Sequence, residues 1–320
     1  MTAQLESEVR ALRRRVIARP TPTALAGALA IAFSAILYRL AEVSPSTGAF
    51  FRCAFALPLL WLLARREDAH LGARGRRTRA FAYGGGVLFA VDLVLWHHAI
   101  EAVGAGLATV LANMQVVLVG LIAWAAFRER PAVSALLGAP FTVAGIILIS
   151  GVVEEGAYGD NPGLGAVLGV LAGLAYSGFL LTLRFGAPDA RRIAGPLFDV
   201  TLVAALLTIP TGLALGELDF VPTAEALLWL VLLALSAQVV GWLLISVSLA
   251  RLPAIVTSVL LTLQPVASVA FAAALLGERP SGLQLLGTVA ILAGLIVVSA
   301  GRTPRDERNG RAEAPAGQGA

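Results

Sequence analysis

Lysine is absent from this chain: all 24 basic side chains among its 320 residues are arginine. A P-loop uses a lysine to reach nucleotide phosphates, and a Schiff base needs the lysine amine. Both chemistries are therefore excluded, and with them an ATP-driven pump within this chain. Cysteine occurs once, at Cys53, which rules out an intramolecular disulfide and a cysteine-based zinc site. Histidine occurs three times, as His70 and the adjacent pair His97 and His98. Neighbours on a helix point about 100° apart and share a ligand poorly, so neither a metal nor a cofactor is expected. Charge is scarce too, at 14% of residues, against about 25% in an average soluble domain.

What fills the chain instead is apolar: 58% of residues are hydrophobic. That composition points to an all-α polytopic membrane protein. Taking charges and turns as boundaries gives ten spans, at 22–41, 46–64, 79–100, 103–127, 131–152, 163–184, 194–215, 223–249, 253–276 and 281–301. With the N-terminus inside, 21 arginines fall on the inner side and only Arg39 and Arg279 on the outer side, while Arg52 lies within a span. This positive-inside bias puts both termini in the cytoplasm of a cell (inner or plasma) membrane protein. Residues 4–18 read either as an amphipathic helix on the membrane surface or as a disordered basic tail.

The apolar run LQPVASVAFAAALLGERPSGLQLLG, from Leu263 to Gly287, has a counterpart 149 residues earlier. Gln264 falls on Gln115, Glu278-Arg279-Pro280 on Glu129-Arg130-Pro131, Gly287 on Gly138 and Gly294 on Gly145. Residues 106–150 and 255–299 share 16 identities without a gap. Upstream, Asp92-x-x-x-Trp96 aligns with Gln238-x-x-x-Trp242 at a shift of 146, and Ala32-Phe33-Ser34 with Ala175-Tyr176-Ser177 at 143. The chain thus divides into a basic N-terminal segment (1–21), a five-helix repeat (22–152), an acidic linker (153–162), a second five-helix repeat (163–301) and a tail (302–320). An odd number of spans inverts the second copy. Inverted repeats around a central cavity are the architecture of alternating-access carriers.

The strings FFRCAFALPLL, LQPVASVAFAAALLGERPSGLQLLG and ILAGLIVVS resemble the EamA-type carriers of the drug/metabolite transporter superfamily. The resemblance covers about residues 22–301. It implies a ten-helix basket with a central cavity and, often, export of amino acids, metabolites or drugs. One departure stands out: the first copy has Gln115-Val116 where the second has Gln264-Pro265, so a proline hinge is expected in one copy alone.

Charges in a span cost at least about 2.5–3.5 kcal/mol each and ask for a partner or a watery cavity. Arg52 and Asp92 lie at similar depth on neighbouring spans. Two readings stay open: a structural ion pair, or a joint site for the carboxylate and amine of a zwitterion. Gln115, Gln238 and Gln264 fall near mid-span and are candidates to line the cavity, with Trp96, Tyr176 and Trp242 as its aromatic walls. Asp92 and His97 are the candidates for proton coupling. Arg184 and Asp199, at the inner ends of their spans, either snorkel or pair with each other. The expectation is a secondary carrier rather than an enzyme. Its partners are a small-molecule substrate and the bilayer, without nucleic acid, and it is a monomer or homodimer. An intramembrane enzyme and a gradient-independent facilitator or exchanger are the rival readings.

Overall fold

The computed structural model describes residues 19–127, 133–186, 189, 191–249, 252 and 254–300. The segment 4–18, the turn 128–131 and Arg251 lie outside the described residues. Every regular element among the described residues is helical. The first half contains α1 (Pro20–Ala32), α2 (Ser34–Ala41), α3 (Pro45–Leu71), α4 (Arg76–Val103), α5 (Ala105–Ala112), α6 (Gln115–Phe127) and α7 (Val133–Ile149). The second half contains α8 (Pro162–Gly186), α9 (Ala194–Leu215), α10 (Ala224–Leu233), a π-helical turn (Ala234–Gly241), α11 (Trp242–Leu249), α12 (Ala254–Leu275) and α13 (Gly282–Ala300).

Among the described residues, six stretches are long and apolar enough to cross a membrane: Pro20–Ala41, Pro45–Leu71, Arg76–Val103, Pro162–Leu183, Ala194–Leu215 and Ala224–Ser248. This is a multi-pass membrane protein. The shorter helices α5 to α7, α12 and α13 fall on the fourth, fifth, ninth and tenth expected spans. Helix α3 starts with proline in its first turn, where the missing donor costs nothing. It outruns the expected 46–64 and continues to Leu71. Its last two turns are built from Arg65, Arg66, Glu67 and Asp68, and arginine and glutamate are good helix formers outside lipid as well as within it.

The packing is reciprocal between the halves. Helix α3 lies along α9 and α7 along α13, each pairing a helix with its own repeat mate. Helix α4 lies along α8, and the corresponding pair, α10–α11 against α1–α2, is also in contact. Four glycines show the symmetry at atomic scale. A Cβ on Gly138 would meet the Gly294 carbonyl oxygen at 2.7 Å, and one on Gly294 would meet that of Gly138 at 2.8 Å. Gly145 and Gly287 repeat the arrangement at 2.5 and 2.7 Å. The shift of 149 carries Gly138 onto Gly287 and Gly145 onto Gly294, so the two contacts are copies of one another. Backbones approach this closely only where side chains are absent.

Carboxylates fasten helix starts across the halves. Glu67, near the end of α3, accepts from the backbone N–H groups of Ile193, Ala194 and Gly195 at 2.7, 3.1 and 2.7 Å, at the start of α9. Glu217, just after α9, accepts from Ser46 Oγ at 2.7 Å at the start of α3, and its carbonyl accepts from Thr47 Oγ1 at 2.8 Å. Glu278 follows α12, whose C-terminus closes over Gly277 in the left-handed region (φ 68°). The Glu278 carboxylate accepts from Ala105 N at 2.6 Å and Gly106 N at 3.1 Å, capping α5. Free N–H groups at a helix start are a ready site for an anion.

Among the described residues, three spans depart from regular α-helix, and none does so at Pro265. Helix α12 runs unbroken through that proline. The copy without proline is the interrupted one, between α5 and α6 at Asn113 and Met114. There the Asn113 side chain donates to the Thr109 carbonyl at 2.9 Å, which the Asn113 backbone N–H also uses at 3.1 Å. The following amides tighten to three-residue spacing, Val117 N to Met114 O at 2.9 Å among them. An asparagine competing for the backbone thus breaks this helix, whereas a proline removes a single donor. The other departures are the α1–α2 break at Phe33 and the π-helical turn.

Candidate functional site

All three departures border one cavity of about 70 Å³. One water needs about 10–15 Å³ measured this way, so the space holds several waters or a small solute group. Ile31 and Ser34 flank the Phe33 break, and Ala112, Asn113 and Gln115 flank the second. Trp242 follows directly on the π-helical turn. Irregular backbone at membrane depth is tolerated where it lines a cavity.

Arg52, on α3, is 4% exposed and Asp92, on α4, is 6% exposed, and both line the cavity. Opposite charges buried in one cavity would ordinarily neutralise each other, yet no ion pair joins them among the described residues. Arg52 is held elsewhere. Its Nε donates to Gln238 Oε1 at 3.1 Å, and its guanidinium carbon sits 5.5 Å from the centre of the Trp96 ring. Gln238 in turn donates from Nε2 to Thr201 Oγ1 at 3.1 Å. Both nitrogens at the tip of Arg52 and both oxygens of Asp92 are without a hydrogen-bond partner among the described residues, which leaves them for whatever enters the cavity.

Of the residues singled out from sequence, Arg52, Asp92, Trp96, Gln115, Tyr176, Trp242 and Gln264 come together around this space. Gln238 does not line it: fully buried, it stands behind Arg52. Its wider π-helical turn brings it there, and π turns are frequent at functional sites. Aromatic packing joins the walls, with Tyr176 and Trp242 at 6.0 Å and Phe179 and Trp242 at 5.6 Å between ring centres. Ser34, Phe89 and Thr109 also line the cavity and were not singled out. Ser34 was legible in the Ala32-Phe33-Ser34 match, whereas Thr109 and Phe89 carried no polar or repeat signal strong enough to mark them.

His97 sits apart from the cavity. Fully buried, it packs on Tyr38 at 4.2 Å and on Trp96 at 5.1 Å between ring centres. Its neighbour His98 points elsewhere, with Nε2 2.9 Å from Glu217 Oε1. Burial raises the Glu217 carboxyl, but the hydrogen bonds from Ser46 and His98 and the charge of His98 outweigh it, so the group lies below its ordinary value. Asp199 has as partners Arg74, just before α4, which it bonds closely, and Arg79, in the first turn of α4, at 3.8 Å. The Arg184 side chain lies outside the described residues.

The model of the EamA-like transporter family matches residues 21–151 and again 163–300. The chain belongs to the EamA-like transporter family. The two matches divide it where the repeat does, and they fit membership of the drug/metabolite transporter superfamily. A solved crystal structure resembles this EamA-like protein with a TM-score of 0.60 at 16% identity, covering 88% of this chain and 96% of the other. That likeness is one of fold. The members of this family are membrane transporters, so the cavity is that of a transport protein.

Proposed function

We propose that this EamA-like protein is a secondary carrier that moves a small zwitterionic organic solute through the central cavity by alternating access. The observation that carries the reading is the charge pair left unspent: Arg52 and Asp92 share a buried cavity without pairing. Each buried charge costs about 2.5–3.5 kcal/mol or more at membrane depth. A solute bearing a carboxylate and an ammonium offsets both costs at once, with the carboxylate on the Arg52 fork and the ammonium on Asp92. Trp96, Tyr176 and Trp242 give its apolar part a wall, and Gln115 and Gln264 supply neutral polar contacts.

In this reading the chain has ten spans in the plasma membrane, with both termini in the cytoplasm and efflux as the direction. The arginine count supports the orientation. Asp92 is the proton-coupling group, since a carboxylate in the cavity meets proton and solute alike. His97, packed away from the cavity, takes no part in coupling. Bending between access states is assigned to the Asn113–Met114 break and to Pro265 in the mate helix.

The test is purified protein in liposomes, with labelled amino acids and metabolites and with or without a pH gradient. Zwitterionic solutes should enter saturably, and Arg52→Ala and Asp92→Ala should insert normally and transport nothing. Wild-type rates in those variants would remove the site. No uptake across a broad panel, with hydrolysis of a lipid or peptide instead, would replace the carrier with an intramembrane enzyme.

A further inference from the structure

Arg52 and Asp92 of the first half line the cavity, and Gln238 and Thr201 of the second stand behind Arg52. The shift of 146 carries Asp92 onto Gln238. One half therefore has a carboxylate at the position where the other has an amide. The neutral pair is bonded within itself, Gln238 Nε2 to Thr201 Oγ1 at 3.1 Å, and the charged pair is not. The neutral pair also reaches across to the charged one, through Gln238 Oε1 and Arg52 Nε at 3.1 Å. Thr201 and Gln238 are both fully buried, and neither lines the cavity.

We infer that Thr201 and Gln238 are positioning residues that set the carrier's preference for a solute carboxylate by aiming Arg52. The inference rests on the cavity being the solute site. The Gln238 amide has its oxygen toward the arginine because its NH₂ is committed to the threonine hydroxyl. With the amide fixed that way, Arg52 is anchored through Nε alone, over the Trp96 ring, and its two terminal nitrogens stay free as a fork for a carboxylate. Had the second half kept a carboxylate at position 238, it would have bound Arg52 as an ion pair and consumed the charge that the solute needs. The neutral copy holds the arginine without neutralising it. The asymmetry also gives the solute one orientation, with its anionic end toward α3 and its cationic end toward α4.

Two measurements on the purified full-length protein test this. The first compares binding of L-valine with binding of isobutylamine, the same molecule without its carboxylate. Thr201→Val and Gln238→Ala should weaken L-valine about 10–100-fold, the worth of one hydrogen bond to a charged group, and leave isobutylamine within about twofold. Thr201→Ser, which keeps the hydroxyl, should bind L-valine as the wild type does, and Gln238→Glu should lose L-valine most. Equal weakening of both probes would mean a packing role and overturn the inference. The second measurement is the structure of the Gln238→Ala protein, which needs no ligand. Arg52 should leave the face of Trp96, and an unmoved guanidinium overturns the inference. If the wild type binds neither probe, the zwitterion reading of the cavity fails, and this second measurement still decides whether Gln238 aims Arg52.

Discussion

Glu278 offers the sharpest energetic test of how the halves are fastened. Its carboxylate, with Glu278 4% exposed, accepts from Ala105 N at 2.6 Å and Gly106 N at 3.1 Å at the first turn of α5. Glu278→Ala strands both amides beneath Gly104, whose φ of 89° already marks a constrained entry to the helix. Each stranded buried donor costs about 1–3 kcal/mol, and losing an anion at a helix N-terminus adds about 0.3–2 kcal/mol. The side chain leaves room for a water, which recovers part of this, so the net loss should be about 2–5 kcal/mol. That corresponds to a fall in melting temperature of roughly 5–15 °C, read in detergent by fluorescence-detected gel filtration after heating. Glu278→Gln keeps one acceptor and should fall between. Arg39→Ala is the control: its ion pair with Glu101 at 3.0 Å has side chains 40% and 45% exposed, and such pairs contribute about 0–1 kcal/mol. A Glu278→Ala protein that melts with the wild type, or no lower than the Arg39→Ala control, would refute the cap as a fastening between halves.

Gly145→Ala should destabilise by about 1–3 kcal/mol through overpacking, because its Cβ would lie 2.5 Å from the Gly287 carbonyl oxygen. Adding Gly287→Ala should cost less than it does alone, since the backbones have already parted; additive melting shifts would deny that the two glycines share one contact. Glu217 has a carboxyl lowered below its ordinary 4.5, so its contribution to stability is full above that value and is lost as pH falls through the lower folded value. The wild type should therefore lose more stability than Glu217→Gln between about pH 5 and pH 3, and parallel pH–melting curves would contradict this. Arg52→Lys should fold normally yet raise the KM for zwitterion uptake about 10–100-fold, because one ammonium cannot both bond Gln238 and present a fork. An unchanged KM would mean that charge alone, without the fork, suffices.

Much of this molecule was legible before any coordinates, because its strongest signals are long-range and simple. Hydropathy marked the apolar helices, six of them long enough to cross a membrane among the described residues, and the shift of 149 marked the glycines that meet as reciprocal backbone contacts. Depth in the span was enough to bring Arg52, Asp92, Gln115 and Gln264 to one cavity, but not Gln238, at similar depth, which bonds elsewhere. Three things escaped. The break at Asn113–Met114 depends on a side chain choosing a backbone partner, which spacing does not encode, so the conspicuous Pro265 drew the expectation instead. The π-helical turn placed Gln238 behind Arg52 rather than in the cavity, a rotation that no 3.6-residue periodicity anticipates. Asp199 found Arg74 because the segment after α3 folds back over the helix ends, and loop paths are set by local bonds such as those of Arg192 to Asp68, at 3.0 Å, and to the Gly72 carbonyl, at 2.8 Å.

The central claim is that one cavity, holding Arg52 and Asp92 unpaired, carries solute from side to side by exposing itself alternately. Trans-stimulation measures this most directly. Liposomes containing the purified protein are preloaded with the unlabelled solute found to be transported, and entry of the labelled solute is timed with no ion gradient present. The account predicts that preloading accelerates entry severalfold in the wild type, that entry saturates, and that Asp92→Ala shows neither. Entry that rises linearly with concentration and ignores preloading would describe an open pore, and would contradict the account.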